Sequence, residues 1–362
     1  MYTNIQKLYT KISNEKLILN PTWQRNNSVN RQLILSSMSL ESLVTTFTAK
    51  FDFSIDGVVP WKKCDDQIIP AIDWLSNAYP DVTYSKISKY FSPIVVRKDL
   101  SVNHCQVNIM RYILNNHHNL ANCNSILEIG AGYGAFAREI LLTNNKIKYV
   151  IIDLSESIMC SYSYLNLEFP NKSHVLVTEP SDLNKDFDIL YIPVLFLKEF
   201  IDSKKIVNFD LFINTCSLGE MNNDTVNYYY NLVTNTLKIK SVYWLNRFLD
   251  NGTQTKNSNA CMVNIPKNWH IKHWKRLPKY LQCPYIIPYH AKYTEIYADI
   301  KNEEDGLNSN INSTDKLFNL WNTNRLNPSI ESLESIIEEI EKILPTSVEL
   351  FYYREQLTKL KQ

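Results

Sequence analysis

The sequence predicts an α/β protein in which a parallel sheet is covered by helices on both faces. From residue 125 onward, short apolar runs alternate with stretches of helical periodicity, the order of elements that builds such a sheet. The runs are apolar at successive positions, as expected of strands buried on both faces. The candidate strands are residues 125–129, 148–154, 174–177, 188–193, 210–215 and 241–248, and residues 292–300 alternate in the manner of an edge strand.

Helical segments are expected on both sides of this region. Residues 1–120 read as a mostly helical N-terminal region with short helices, because prolines divide it, and we assign it to substrate binding or capping. Residues 121–301 form the predicted catalytic domain. Residues 316–362 predict a helical hairpin, with Pro345 between its helices. The apolar face of the first of these helices must be buried, against the domain, a partner or a second copy.

Composition favours a soluble globular protein and argues against several classes of function. Hydrophobic residues make up 44% of the 362 and charged residues 21%. A net charge of +1 gives no footprint for a long polyanion, so nucleic acid is not an expected partner. The seven cysteines show no Cys-x-x-Cys pair, and no apolar run could span a bilayer. With no signal-like N-terminus, the expected location is the cytoplasm.

The main functional signal is a glycine loop after the first candidate strand. The chain has only seven glycines, yet Gly130, Gly132 and Gly134 fall within five residues. A strand that leads into a glycine turn and a helix N-terminus is a general device for binding nucleotide cofactors, because the ligand can approach free backbone N–H groups. The loop alone is ambiguous, since Gly130, Gly132 and Ala135 also fit the dinucleotide fingerprint.

Two carboxylates beside the loop favour S-adenosylmethionine (SAM) over a dinucleotide. Glu128 lies two residues before Gly130, where it would repel a pyrophosphate but suits the cationic amino group of a methionine moiety. Asp153 ends the next strand, where an acidic side chain accepts hydrogen bonds from ribose hydroxyls in either cofactor class. Gly134 is expected to keep the chain open beside a bulky ligand that lacks phosphates.

Two stretches, LEIGAGYGAFAREIL at 127–141 and YVIIDLSESI at 149–158, resemble motifs I and II of class I SAM-dependent methyltransferases. The DLS, YIP and NTCSLGEM segments, at 153–155, 191–193 and 214–221, resemble the bacterial sugar O-methyltransferase family. The resemblance covers roughly residues 90–300 and implies a Rossmann-like class I methyltransferase sheet with SAM as cofactor. The cofactor-binding residues that we predict are Glu128, Gly130, Ala131, Gly132, Gly134, Asp153, Leu154 and Asn214.

Methylation of a sugar hydroxyl requires alignment of the reacting atoms and a proton acceptor. Reacting groups in open α/β sheets lie beyond the carboxyl ends of strands, so the loop after residues 210–215 is expected beside the cofactor. Its Glu220 is the first candidate for a general base, although a carboxylate that only stabilises a helix N-terminus is equally open. His104 and His290 are the alternative bases.

Polar residues at two strand ends are candidates for binding the acceptor. Ser217 could orient it or cap a helix, and Asn246 and Arg247 could hold a polyol or a sugar phosphate. No metal site is expected, because no histidine pair has a carboxylate at ligand spacing. The proline-aromatic turn of enzymes that methylate base amines is absent after residues 210–215, which also argues against a nucleic-acid acceptor.

These features predict a SAM-dependent O-methyltransferase that acts on a sugar hydroxyl, free or nucleotide-linked, in the biosynthesis of a bacterial surface polysaccharide such as capsule. Two alternatives stay open: an NAD(P)-dependent oxidoreductase that uses the same loop, and a catalytically silent SAM-binding or scaffold protein. The identity of the sugar and the oligomeric state, including a homo-oligomer, are not fixed by the sequence.

Overall fold

The structure is a computed structural model that describes residues 2–12, 39, 42–44, 65–86, 100, 102–203, 208–249, 262–276, 292–301 and 313–362. The chain divides into two compact units. The first comprises residues 1–210 with 279–288, and the second residues 211–278 with 289–362. The border at 210/211 falls inside the segment 121–301, which the sequence treats as one domain.

The first unit contains four parallel strands in the order β3-β4-β2-β1. They are β1 (Ser125–Ile129), β2 (Lys148–Asp153), β3 (His174–Leu176) and β4 (Ile189–Pro193). Every residue of β4 is buried, and β1 and β2 are open only at their ends. Burial of both faces explains why these strands read as continuous apolar runs.

Helices connect and cover these strands. They are α1 (Tyr2–Ile12), α2 (Asp65–Ala78), α3 (Val102–His117), α4 (Ala135–Thr143), α5 (Ser155–Glu168) and α6 (Leu197–Ser203). Helix α4 follows the glycine loop, and α5 begins two residues after Asp153. Helix α3 packs against α4, and α1 packs against α5. The predicted α/β order of elements is confirmed, and the described parts of residues 1–120 contain the helices α1, α2 and α3.

A buried ionic cluster attaches the N-terminal region to the helices that follow the glycine loop. The Arg138 guanidinium lies 2.6 Å from the carboxylates of both Glu139 and Glu168. Ser85, from the segment before α3, donates to the Glu139 carboxylate at 2.6 Å, and its N–H donates to Asn108 of α3 at 2.8 Å. Because these charges are paired and hydrogen-bonded, the cluster holds its segments in one arrangement.

The second unit contains four strands in the order β5-β6-β8-β7. They are β5 (Leu211–Thr215), β6 (Ser241–Leu249), β7 (Trp269–Arg276) and β8 (Lys292–Ile300). Strands β5 and β6 are parallel, whereas β8 lies between β6 and β7 and is antiparallel to both. Helix α7 (Asn223–Asn231) continues into a π-helical turn and connects β5 to β6. Because β8 runs antiparallel to its neighbours, the sheet is mixed and not wholly parallel as the sequence predicts, while the predicted α/β class is confirmed.

The sequence misjudged the outer strands of the second unit. It predicts that β8 lies at an edge, because polar and apolar residues alternate in it, yet Thr294 and Glu295 are fully buried between two strands. The described edge strand is β7, which the sequence did not indicate. A register shift between Ile271 and His273 breaks the two-residue period on which strand prediction depends.

Three helices form the C-terminal segment: α8 (Lys316–Leu326), α9 (Ile330–Ile343) and α10 (Val348–Lys361). The predicted hairpin is α9 with α10, and α8 is an additional helix that packs on α9. Leu333, Ile336 and Ile340 of the predicted apolar face are fully buried, whereas Ile330 is exposed. Among the described residues, no helix combines the length and apolar character needed to cross a bilayer.

Candidate functional site

The glycine loop at the end of β1 has the left-handed backbone that its composition predicts. The φ angles of Gly130, Gly132 and Gly134 are 78°, 59° and 91°, values that favour glycine because it has no Cβ. The Gly130 N–H donates to the Ile152 carbonyl at 2.9 Å, and the Gly134 N–H donates to the Ala131 carbonyl at 3.0 Å. The loop is therefore tied to β2 and closed by its own backbone.

Gly134 has a packing role that differs from the predicted opening beside a ligand. A Cβ at this position would lie 3.0 Å from Cδ1 and 3.2 Å from Cγ of Leu165 in α5. Gly134 also precedes the first residue of α4 with its left-handed backbone. Its lack of a side chain therefore lets α5 approach the start of α4, the same close packing that the third position of a dinucleotide fingerprint serves.

Asp153 lies at the end of β2 and is fastened to the loop through both of its carboxylate oxygens. Oδ2 accepts from the Gly132 N–H at 3.0 Å, and Oδ1 accepts from the Leu154 N–H at 2.7 Å. Burial raises the pKa of Asp153 to about 7, although these backbone hydrogen bonds oppose the shift. Each carboxylate oxygen can accept more than one hydrogen bond, so both can also receive a hydroxyl donor.

Glu128 is a buried carboxyl at the other side of the loop. It is 1% exposed, and the hydroxyl of the fully buried Tyr149 donates to its Oε2 at 2.8 Å. Burial, with a smaller contribution from the charge of Asp153, raises the pKa of Glu128 to about 8, although the hydrogen bond from Tyr149 opposes the shift. A cation bound here would favour the ionised carboxylate, because an opposite charge offsets the cost of burying it. The sequence did not predict Tyr149, since a single aromatic residue inside a strand resembles ordinary core.

Ser155, the first residue of α5, is a polar group that also points to a ligand. Its hydroxyl oxygen is buried and has no hydrogen-bond partner within the described part of the chain. Buried hydroxyls in native proteins are normally hydrogen-bonded, so an unpaired one next to a candidate site calls for a partner. Ser155 follows Asp153 by two residues, at a helix N-terminus where backbone N–H groups are also available.

In the second unit, two buried asparagines hold the loop that follows β5. Asn214 Oδ1 accepts from Asn246 Nδ2 at 2.9 Å, and Asn214 Nδ2 donates to the Ser217 hydroxyl at 2.6 Å. The N–H groups of Leu218 and Gly219 donate to Asn214 Oδ1 and Asn246 Oδ1, both at 3.3 Å. Both asparagines are fully buried. Their side chains, which the sequence assigns to cofactor and acceptor, lie in the interior and bind the loop backbone.

Beside these asparagines lies the Arg247 cluster, which we define as Cys216, Glu220, Arg247 and Tyr293. Arg247 Nη2 is 3.9 Å from Glu220 Oε1, with the arginine buried and the glutamate side chain 31% exposed. Tyr293 faces Arg247 across the β6–β8 pair and hydrogen-bonds to it, and burial raises the pKa of its phenol. The sequence did not indicate Tyr293, because it lies next to Arg247 only when β8 pairs with β6.

Cys216 lies at a strained position of this cluster. Its φ is 60°, a left-handed value rarely adopted by residues other than glycine, and its N–H donates to the Leu245 carbonyl at 2.7 Å. Burial raises the pKa of the thiol to about 12, with the nearby Glu220 adding to the shift. The thiol therefore stays protonated at neutral pH and is a poor nucleophile.

The two histidines predicted as alternative bases differ in what can be said of them. His104 lies in α3, is 1% exposed, and has a pKa lowered to about 3 by burial and by Arg138. A base of that pKa holds a proton poorly at neutral pH. His290 lies outside the described residues. Across the ranges that the structure describes, no group of three or more His, Cys, Asp or Glu side chains could hold a metal ion.

No family model matches the sequence, and no curated protein does. Similar solved structures include the methyltransferase domain of bacterial CtHen1 (10% identity, 56% of this chain and 100% of that one, TM-score 0.37). Others are M. capricolum TrmK in complex with S-adenosylhomocysteine (19%, 71% and 95%, 0.34) and an O-methyltransferase family protein from Burkholderia thailandensis (8%, 55% and 58%, 0.35). Similarity at this level assigns neither an acceptor nor the roles of individual residues.

Proposed function

We propose that this chain is a SAM-dependent O-methyltransferase that acts on a sugar hydroxyl in the biosynthesis of a bacterial surface polysaccharide. The observation that carries the cofactor assignment is the pair of carboxyl groups around the glycine loop, Glu128 and Asp153. Asp153 suits the ribose of either cofactor class, so Glu128 is the group that discriminates between them. Glu128 would oppose the pyrophosphate of a dinucleotide, whereas the cationic amino group of SAM gains a partner from it.

The residues present fit SAM in the chemistry of their donor and acceptor set. The Gly132 and Leu154 N–H groups hold the Asp153 carboxylate in place. Its two oxygens would accept hydrogen bonds from both ribose hydroxyls. Glu128, oriented by Tyr149, would receive the amino group, directly or through water. The unpaired Ser155 hydroxyl is available to the same ligand. When bound, SAM supplies an activated methyl group. These residues would fix the position of SAM, and such positioning contributes much of the rate of a displacement reaction.

The acceptor side is assigned to the Arg247 cluster and Ser217. Glu220 is the proposed general base, since it is the most exposed charged group of the cluster and would take the proton of the acceptor hydroxyl. Arg247 and Tyr293 would orient that carboxylate or hold the sugar, and Ser217 would contact the acceptor. Asn214 and Asn246 are proposed to position the loop and not to touch either ligand.

The experiment that tests this function uses SAM with a labelled methyl group and a panel of free sugars, nucleotide sugars and oligosaccharides. Wild type should methylate a member of the panel. Glu220→Gln should lower kcat by roughly 10²- to 10⁴-fold, the usual contribution of a general base, without changing the Kd for SAM. Glu355→Gln, an exposed helical glutamate of the same unit, is the matched control and should retain activity. Binding of NAD(P) with no binding of SAM would refute the proposal.

A further inference from the structure

Helix α1 reaches the carboxyl ends of two strands of the first unit. The ammonium group of Lys11, in its last turn, donates to the carbonyl of Thr178, which lies two residues after β3. The same ammonium lies 5.4 Å from the ring centroid of Phe196, three residues after β4. One exposed lysine therefore joins α1 to the chain segments that follow β3 and β4.

The rest of α1 is seated by apolar packing. Ile5 and Leu8, spaced by three residues on one face of the helix, are 1% and 0% exposed. Asn4 Nδ2 lies 3.5 Å from the hydroxyl of Tyr162 in α5, the helix that α1 packs against. Packing thus fixes the first two turns, and Lys11 fixes the last turn over the strand ends.

The candidate cofactor site also lies at the carboxyl ends of the strands of this unit. Asp153 pairs with Pro193 across β2 and β4, and parallel neighbours are about 4.8 Å apart. A SAM molecule with its amino group at Glu128 on β1 and its ribose at Asp153 on β2 would extend from β1 across β2, and β4 is the next strand in that direction. Phe196 follows β4 by three residues and is contacted by Lys11, so both belong to the segment toward which such a ligand would continue.

We propose that α1 is part of the cofactor site, and that Lys11 holds it as the wall beside the adenine base. This inference rests on the proposed function. It makes Lys11 a positioning residue, and it gives the first helix of the N-terminal region a role that neither the glycine loop nor the Arg247 cluster requires.

The test measures binding of S-adenosylhomocysteine and hydrogen exchange of the α1 amides in the full chain, so it needs no acceptor. Lys11→Met removes the anchor while keeping the length of the side chain. Lys7→Met makes the same change at an exposed position of the same helix and is the matched control. The inference predicts that ligand slows exchange in α1. It also predicts that Lys11→Met raises the Kd by roughly three- to tenfold, the equivalent of one ordinary hydrogen bond, and that Lys7→Met leaves the Kd unchanged.

Two results would overturn it, and they can be told apart. If wild type binds S-adenosylhomocysteine but α1 exchange is unaffected and Lys11→Met matches Lys7→Met, α1 is only a structural helix and the cofactor assignment stands. If wild type does not bind S-adenosylhomocysteine, the proposed function fails and this inference fails with it.

Discussion

Two loops of this protein follow strand ends and contain left-handed residues, but they use their polar groups in opposite ways. The loop after β1 obtains its left-handed backbone from glycines, and the acids beside it keep hydrogen-bonding capacity for a ligand. The loop after β5 has a cysteine at φ 60°. Its backbone is held by hydrogen bonds to the side chains of Asn214 and Asn246. In the first loop the side chains at the strand ends keep hydrogen-bonding capacity, whereas in the second the two asparagines are used to hold the backbone.

The difference teaches how an amide and a carboxylate should be interpreted at a strand end. A buried asparagine can satisfy several backbone groups at once because it has donors and acceptors on one side chain. A buried carboxyl has two oxygens that each accept more than one hydrogen bond, so the two backbone N–H groups that Asp153 binds leave it able to accept from a ligand. The following predictions test this contrast.

The largest expected effect is on stability, from the asparagine pair. Asn214→Ala removes the hydrogen bonds that this side chain makes to Asn246, Ser217 and the Leu218 N–H in a buried site. It should lower the free energy of unfolding by about 2–4 kcal/mol in urea titrations, because unmade buried hydrogen bonds are costly. Binding of S-adenosylhomocysteine should be unchanged.

Asn235→Ala is the matched control, since Asn235 also bonds to another asparagine, Asn231, but on an exposed helix face. Its cost should stay within about 0.5 kcal/mol. A large loss of cofactor affinity in Asn214→Ala, with normal stability, would show that Asn214 contacts the ligand directly.

A smaller effect compares one glycine from each loop. Gly134→Ala forces a side chain onto φ 91° and against Leu165, so it should cost about 1–3 kcal/mol of stability. Gly219→Ala meets only carbons of Arg247 at 3.9 Å, an ordinary contact, and should change stability by less than about 0.5 kcal/mol. Thermal melting of the two variants measures the difference. Equal costs would mean that Gly134 is not constrained as described.

The last comparison concerns the pH dependence of the ligand-free protein, through Glu128 beside the first loop. The pKa of Glu128 is about 8 in the folded chain against an ordinary 4.5, so the folded state keeps a proton that the unfolded state has lost between these values. Its contribution to stability therefore falls as pH rises from 4.5 through 8. The glutamine of Glu128→Gln cannot ionise. The difference in Tm between this variant and wild type should therefore increase by a few degrees, in favour of the variant, as the pH rises from 5 to 9. A difference in Tm that is independent of pH would contradict the raised pKa.

The sequence predicted the first loop well because each of its features is local. One β-α-β unit contains these polar and glycine positions, which lie at strand ends: Glu128, Gly130, Gly132 and Asp153. Apolar strands buried on both faces are also easily recognised. The sequence did not indicate Tyr149, because its importance comes from its hydrogen bond to Glu128. It did not indicate Ser155 either, because what marks this residue is a buried hydroxyl with no hydrogen-bond partner in the described part of the chain.

The second unit was harder because its contacts depend on strand order and not on spacing. Nothing local shows that β8 lies between β6 and β7, so Tyr293 could not be placed beside Arg247. A bulge removed the periodicity of β7. The backbone contacts of the asparagines could not be foreseen, because a polar side chain after a strand looks the same in sequence whether it binds a ligand or a backbone.

The central claim, that the first loop is a SAM site, is tested most directly by calorimetric titration with S-adenosylhomocysteine. Wild type should bind it, and Asp153→Ala should weaken binding by roughly 100-fold or more, because two hydrogen bonds to a charged acceptor are lost. Asp186→Ala, an exposed aspartate of the same unit, should bind as wild type does. No binding by wild type, or equal affinities for wild type and Asp153→Ala, would contradict the account.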